Sequence, residues 1–262
     1  MTGHRHADPA FATTLAHGLL VLQTFRHGEP ALSNRELAER TRLSKATISR
    51  LTYTLMQRGL LRYDSGSRRY LLGPAVLSLS YPLLSSIKVR QLARPLMKRL
   101  ADAAGGSASL GMHHDLHMVY VETCRGHDAV AFRPDIGALL PLLQSAMGRA
   151  WLAQADPAES EPLLDVLQRQ DPAAWRRYAP AWEQARRDYA EHGYCVGEGD
   201  WHADVHAVAM PMRRPIDGQV FVFNCGVPVR RLRAGELRNR IAPRLRTLVT
   251  RVESLVARQA VE

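Results

Sequence analysis

Cysteines, long apolar runs and common catalytic motifs are few or absent in this chain of 262 residues. The three cysteines, Cys124, Cys195 and Cys225, are far apart and form no Cys-x-x-Cys pair. The sequence therefore predicts neither a disulfide framework nor a zinc ribbon, and it fits a reducing cytoplasm. It has no signal peptide and no apolar stretch that approaches a membrane span, so no membrane partner is expected. The absence of G-x-S-x-G, P-loop, His-Glu-x-x-His and G-x-G-x-x-G motifs argues against an enzyme.

Positive charge is concentrated near the N-terminus. Residues 1–74 hold 11 Lys and Arg against 5 Asp and Glu, whereas the other 188 residues hold 24 against 20. The length favours two domains, and a basic first domain is typical of a module that binds phosphates.

Helix caps mark the start of two short helices in this basic part. Ser33 and Glu36 have the spacing of a capping box, in which each side chain accepts the backbone N–H of the other residue. The first helix should end near Arg40. After a short polar connection, Ser44 should cap a second helix from Lys45 to about Arg58.

The second helix is amphipathic, and its outward face carries hydrogen-bonding groups but no acid. The inward stripe comprises Ile48, Leu51, Thr52, Leu55 and Met56. The outward residues suit a helix in a DNA major groove, where Arg and Gln bind base edges and small side chains allow close approach. Upstream, a helix bearing Phe11, Leu15, Leu19, Leu22 and Phe25 should pack against this pair.

Two strands with a basic tip follow the second helix. Gly59 should end the helix, and strands over residues 60–63 and 68–72 should flank the turn of residues 64–67. Such a wing places arginines beside the groove to bind phosphates. We therefore predict a winged helix-turn-helix that binds double-stranded operator DNA through Ser33, Arg35, Arg42, Ser44, Lys45, Thr47, Ser49, Arg50, Tyr53, Arg62, Arg68 and Arg69.

The rest of the chain reads as an α+β domain. A helix is predicted over residues 75–88 and another over 88–104, followed by strands over 107–112 and 118–123. A pair of helices over 145–153 and 157–168, a second strand pair over 207–212 and 220–226, and a helix over about 235–258 complete it. This order favours helices packed on an antiparallel sheet.

Several short motifs together resemble the IclR family of bacterial transcriptional regulators. They are Lys45-Ala46-Thr47-Ile48-Ser49-Arg50-Leu51, Gly59-Leu60, Tyr70-Leu71-Leu72-Gly73-Pro74, Leu140-Pro141, Ser145, Gly148-Arg149-Ala150-Trp151-Leu152-Ala153, His192-Gly193-Tyr194 and Ala207-Val208-Ala209-Met210-Pro211. The resemblance covers Leu15 to Leu255. It implies a winged helix-turn-helix domain (10–74), a linker helix (75–88) and a GAF-like effector-binding domain (89–262), whereas the Gly, His, Arg and Pro of residues 1–9 predict a disordered tail. It also implies a homodimer, often paired into a homotetramer, in the cytoplasm and on the nucleoid.

The resemblance further implies a pocket for a small-molecule effector between the sheet and the loop before the helix at Ser145. By position, its residues would be Met112, Ala146, Met147, Gly197, Ala207, Phe223 and Cys225. Members that bind small keto acids carry an aspartate at Gly197, a cysteine at Ala207 and serines at Phe223 and Cys225. The apolar residues here therefore predict an aromatic or otherwise largely apolar organic acid, sensed by a regulator of a catabolic operon.

Two other functions stay open on sequence alone, although no cofactor is expected. His202, Asp204 and His206 would share one face of a strand and could supply part of a metal site, as in a metal-dependent enzyme with a basic accessory domain. The chain could also be an architectural DNA-binding protein without an effector. Nine arginines between Arg230 and Arg258 most simply form a solvated helix face.

Overall fold

A computed structural model describes residues 10–127 and 134–259. The chain divides into two compact units at the junction of Ser86 and Ile87. The fold class expected from the sequence is confirmed, with a winged helix-turn-helix followed by an α+β domain. In the described residues, no helix is both long and apolar enough to cross a membrane.

The first unit combines four helices with a small antiparallel sheet. The helices are α1 (Thr13–Gln23), α2 (Asn34–Thr41), α3 (Lys45–Gln57) and α4 (Ala75–Ser86). The strands are β1 (Ala31–Leu32), β2 (Leu61–Asp64) and β3 (Arg69–Leu72), in the order β1-β3-β2. Strand β1 was not predicted, because two residues are too few to show an alternating pattern.

The apolar stripe of α3 forms the core of this unit. Ile48, Leu51 and Leu55 are buried and pack in one cluster with residues of α1, α2 and both ends of the sheet. Thr52 is also buried, and its hydroxyl donates to the carbonyl oxygen of Ile48 at 2.8 Å. The predicted stripe is thus confirmed except at Met56, which is only partly buried. Burial of this stripe leaves the opposite face of α3 free for a partner.

The second unit is built on a six-stranded antiparallel sheet of order β6-β5-β4-β9-β8-β7. Its strands are β4 (Ser107–His114), β5 (His117–Arg125), β6 (Leu139–Pro141), β7 (Cys195–Glu198), β8 (Val205–Pro211) and β9 (Phe221–Pro228). Its helices are α5 (Val89–Ala104), α6 (Ala146–Gln154), α7 (Pro157–Gln170), α8 (Pro172–His192) and α9 (Ala242–Gln259), the last preceded by a π-helical turn, Leu237–Ile241. Helix α8 was not predicted, and only three of its residues, Trp182, Ala185 and Asp188, are buried.

Helices α5 and α6 cover opposite faces of this sheet. On one face, a Cβ at Gly111 would lie 2.5 Å from the sulfur of Met147 in α6, so a larger residue there would displace the Met147 side chain. On the other face, the Glu122 carboxylate binds two arginines of α5. The pairing of β4 with β5 shifts by one residue between Leu110 and Gly111.

The side chains of β9 alternate between these two faces of the sheet. Residues at successive positions of a strand point to opposite sides. Asn224 pairs with Ser109 and Gly226 with Ser107, so these residues share the face covered by α6. Phe223 and Cys225 consequently lie on the face covered by α5.

Candidate nucleic-acid interface and ligand pocket

The caps of α2 and α3 have the geometry that the sequence predicts. The Ser33 hydroxyl accepts the backbone N–H of Glu36 at 3.2 Å, and the Glu36 carboxylate accepts the Ser33 N–H at 2.8 Å. The Ser33 hydroxyl also donates to the Glu36 carboxylate at 2.6 Å, and this bond, together with the one from the Ser33 N–H, lowers the pKa of Glu36 to about 2. At the next helix, Ser44 accepts the N–H of Thr47 at 3.1 Å. The two caps fix the starts of the helices that cross at the exposed face of the domain.

The outward face of α3 exposes a row of polar side chains. Lys45, Ser49, Arg50 and Tyr53 are exposed, Tyr53 to 61%. The Ser49 hydroxyl accepts a hydrogen bond from the side-chain amide of Asn34 at 3.1 Å, which joins α2 to α3. In the described part of the chain, no acid pairs with the Arg50 guanidinium. This composition leaves Arg50 able to reach a base edge or a phosphate.

Other predicted contacts flank this row. Arg35 is exposed but forms an ion pair with Glu39 at 2.7 Å. Arg42 ends α2 in the left-handed region with φ of 58°, and its side chain is exposed. Thr47 is partly buried, and its hydroxyl lies 2.9 Å from the Ser44 hydroxyl.

The wing turn is ordered by Asp64. Its carboxylate accepts the backbone N–H groups of Gly66 and Ser67, both at 3.2 Å, and the bonds from Ser67 lower the pKa of Asp64. Arg62 and Arg68 are exposed beside this turn. The wing therefore presents two arginines to a phosphate backbone.

Arg69 is placed differently from the expectation. Its guanidinium donates to the carbonyl oxygen of Ala31 at 2.8 Å and to the Glu36 carboxylate at 3.2 Å. These bonds tie β3 to β1 and α2. The guanidinium of Arg69 thus binds within the domain, whereas the sequence places it with the arginines that contact phosphates.

The second unit contains a cavity of about 190 Å³ between the sheet and the start of α6. Three of the predicted pocket residues line it, namely Ala146, Gly197 and Ala207. Its floor also includes Tyr120, Asn224 and Gly226, and Leu140 and Trp201 form an apolar part of its wall. Among the described residues, no Lys or Arg lines this cavity.

A buried arginine holds one wall of the cavity. Arg149 is fully buried, and its guanidinium donates to the carbonyl oxygens of Leu143 and Val196, both at 3.1 Å. It also binds the carboxylate of Asp200 at 2.6 Å. Arg149 thereby fastens the entry of α6 to β7 and to the Asp200 loop. Asp200 itself lines the cavity and is 27% exposed.

A polar network lies beneath the cavity. The Asn224 side-chain amide donates to the Tyr120 hydroxyl at 2.9 Å, and burial raises the pKa of Tyr120 to about 12. The other amide atom, Oδ1 of Asn224, is buried and has no hydrogen-bond partner among the residues that the structure describes. A buried acceptor without a donor costs free energy of folding. The floor of the cavity therefore contains an acceptor that still lacks a donor.

The structure does not assemble the candidate metal ligands. His202 and Asp204 lie in the loop before β8, and His206 lies on that strand. In residues 10–127 and 134–259, no group of three or more His, Cys, Asp and Glu side chains is placed to hold a metal ion.

Three of the C-terminal arginines bind groups within the second unit. Arg238 pairs with Asp188 at 2.8 Å, and Arg240 and Arg246 donate to the carbonyl oxygens of Ala103 and His192. These contacts account for part of the basic stretch without nucleic acid.

Comparison with known sequences and structures decides the family. The family profile described as "Bacterial transcriptional regulator IclR C-terminal" matches residues 82–254, and "IclR helix-turn-helix domain" matches residues 14–65. The chain belongs to the IclR family. It is similar to the HTH-type transcriptional regulator TsaQ1/TsaQ2 of Comamonas testosteroni, with 30% identity over 92% of this chain and 87% of that protein. The relatives are transcriptional regulators and not enzymes.

Solved IclR-type structures agree with this assignment. An IclR family transcriptional regulator from Brucella abortus is 38% identical, with a TM-score of 0.87 over 97% of this chain and 96% of that one. An IclR homologue from Microbacterium hydrocarbonoxydans, solved as a complex with 4-hydroxybenzoate, shares the fold at 21% identity and a TM-score of 0.72, covering 92% and 98% of the two chains.

Four of the residues assigned to the effector pocket from sequence do not line this cavity. Phe223 and Cys225 lie on the opposite face of the sheet, so their neighbours Asn224 and Gly226 take those places. The alternation of β4 sends Met112 to that opposite face too, and Met147 is fully buried against Gly111. The pairing of Ala207 with Gly226 gives the correct face for the residues of β9, because directly paired residues share one face of the sheet. Asp200 and Trp201 had no such signal, since they lie in a loop.

Proposed function

We propose that this chain is a cytoplasmic, nucleoid-associated regulator that binds operator DNA through α3 and the wing and controls a catabolic operon. Its effector is an aromatic or otherwise largely apolar small organic acid. The observation that carries the proposal is the combination, in one IclR-type chain, of an acid-free α3 face and a compact cavity of about 190 Å³ at the start of α6.

The cavity supports an effector built on a single ring. A dry apolar cavity of roughly 150 Å³ can hold benzene, and this one measures about 190 Å³. Gly197, Ala207 and Gly226 leave that space open because their side chains are absent or small. At its edge, Ala146 begins α6, and the first N–H groups of a helix suit a carboxylate. The related structure that holds 4-hydroxybenzoate supports the same class.

Helix α4 supports a homodimer, which could pair into a homotetramer on DNA. None of its residues is buried, and its large apolar side chains Leu77, Leu79 and Tyr81 are 75%, 69% and 71% exposed. A helix that is apolar on all sides is normally covered by other protein. Light scattering should find a dimer for the intact chain and a smaller species for Leu77→Glu. The matched change Ser78→Glu, at an exposed polar position, should leave the mass unchanged.

Calorimetric titration of the intact protein tests the effector class. Benzoate should bind and should alter the affinity for operator DNA, whereas glyoxylate and pyruvate should not bind, because they have no ring to fill the space beside Gly197, Ala207 and Gly226. Micromolar binding of glyoxylate or pyruvate would contradict the proposed class.

A further inference from the structure

One hydroxyl on the outward face of α3 is held in place from two sides. The Ser49 hydroxyl donates to the backbone carbonyl oxygen of Lys45 at 3.0 Å, and it accepts a hydrogen bond from the side-chain amide of Asn34 at 3.1 Å. Ser49 is exposed, whereas Asn34 is partly buried as the first residue of α2. Turning the Ser49 side chain would break both bonds, so its oxygen has a fixed position on this face.

The start of α2 fixes the residue that provides the second bond. Ser33 and Glu36 form the capping box, and Asn34 lies between them in the first turn. The Glu36 carboxylate also binds the guanidinium of Arg69 on β3. The position of Asn34 is therefore set by bonds outside α3, and its amide extends this constraint to Ser49.

The two bonds leave the Ser49 hydroxyl able to accept a further hydrogen bond but not to donate one. A serine hydroxyl has one hydrogen and two lone pairs. Its hydrogen binds Lys45, and one lone pair receives the amide of Asn34. Phosphate oxygens are acceptors, and so are the hydrogen-bonding groups that guanine and thymine present in the major groove. Adenine and cytosine each present an amino group there, which donates.

We propose that Ser49 accepts a hydrogen bond from the amino group of an adenine or cytosine in the operator, and that Asn34 is the positioning residue for this contact. The inference rests on the proposed function, in which α3 binds operator DNA, and it deepens that function by naming one base contact. At one position of the operator, adenine or cytosine is preferred over guanine or thymine on the strand that Ser49 contacts. Asn34 was not predicted as a DNA-binding residue, because its partner is 15 positions away.

Selection of bound duplexes from a randomised pool, with the intact protein, tests the inference. Ser49→Ala should reduce the preference at this one position roughly fivefold, as the loss of one hydrogen bond implies, and should leave the other positions unchanged. Asn34→Ala should reduce the preference at the same position. The double variant should lose no more than Ser49→Ala alone, because Asn34 acts through Ser49.

A matched control removes a similar hydroxyl outside α3. The Ser80 hydroxyl on α4 donates to the carbonyl oxygen of Val76 at 3.1 Å, as the Ser49 hydroxyl does to Lys45. Ser80→Ala should therefore change no base preference.

A second measurement uses the unmodified protein. The selected adenine or cytosine is replaced by an analogue base that lacks only the exocyclic amino group. Binding should weaken roughly fivefold, because Ser49 then has no donor to accept from. The same replacement outside the selected sequence should have no effect.

The outcomes separate this inference from the proposed function. A preference for guanine or thymine at the position that Ser49→Ala alters, a preference that survives Ser49→Ala or Asn34→Ala, or full affinity for the analogue duplex would overturn the inference. The proposed function would still stand if Arg50→Ala relaxes specificity. If the unmodified protein selects no sequence, or if Arg50→Ala leaves the selected sequence unchanged, the assignment of α3 fails and the inference fails with it.

Discussion

Arg69 on the wing and Glu36 on α2 form a hydrogen-bonded ion pair, with Nη2 of the arginine 3.2 Å from Oε1 of the glutamate. The same carboxylate accepts the N–H of Ser33 at 2.8 Å. One side chain therefore caps α2 and holds the strand that leads out of the wing. The Glu36 carboxylate therefore links the helix-turn-helix to the wing.

Removal of the Ser33 hydroxyl should destabilise the first unit. We expect Ser33→Ala to lower its free energy of unfolding by about 1 kcal/mol, because the N–H of Glu36 loses its acceptor. All four tryptophans lie after Ser86, so tryptophan fluorescence would miss the change. Hydrogen exchange of the α2 amides is the suitable measurement. Ser65→Ala, at an exposed position of the wing turn, is the control and should have no comparable effect.

The stability of the first unit should also depend on pH, because Glu36 is ionised at neutral pH and becomes protonated in acid. The pKa of Glu36 is lowered to about 2 from an ordinary value of 4.5. Its contribution is therefore complete above about pH 4.5 and is lost as the pH falls toward 2. Hydrogen exchange of α2 measured across this range should show that loss, and Glu36→Gln should show a flatter profile. An identical pH profile for the variant would contradict the assigned role of Glu36.

The wing arginines should contribute affinity without sequence preference. We expect Arg68→Ala to weaken binding to specific and unrelated duplexes alike and to reduce the salt slope of binding by about 1, because one phosphate contact is lost. Anisotropy titrations at several salt concentrations measure both quantities. Arg69→Ala should instead lower the stability of the domain, since its guanidinium binds Ala31 and Glu36. An unchanged salt slope for Arg68→Ala would remove Arg68 from the interface.

The first unit was predictable in most respects because its signals are local. A capping box, a stripe of apolar residues at helical spacing and a turn with Asp64 each lie within a few residues of sequence. The ion pair of Arg69 was not predicted because its partner Glu36 is 33 positions away. A pattern within the strand gives no information on such a contact.

Filling the cavity should uncouple effector binding from DNA binding. Ala207 lines the cavity, so Ala207→Leu should occupy space that a ring would fill and abolish the response to the effector. Affinity for DNA should be unchanged, because the α3 face belongs to the other unit. Calorimetry with benzoate and anisotropy with operator DNA give the two readouts. The control Val205→Ile enlarges a neighbouring side chain by one methylene and should have a smaller effect on benzoate affinity; full benzoate affinity in Ala207→Leu would place the effector elsewhere.

The pocket was harder to derive than the fold, for a physical reason. A strand has a period of two residues, so an error of one position moves a side chain through the sheet. Phe223 and Asn224 differ by such a step. Arg149 and Asp200 are 51 positions apart, and their ion pair depends on how α6 packs against β7.

Binding of operator DNA by Arg50→Ala tests the central claim most directly. The account predicts that affinity for the specific operator falls by about 1 to 3 kcal/mol if Arg50 reads a base, while affinity for unrelated DNA changes much less. The control Arg58→Ala removes the same charge at the end of α3 and should not relax specificity. Operator affinity and specificity that are unchanged in Arg50→Ala would contradict the assignment of α3 as the helix that reads DNA.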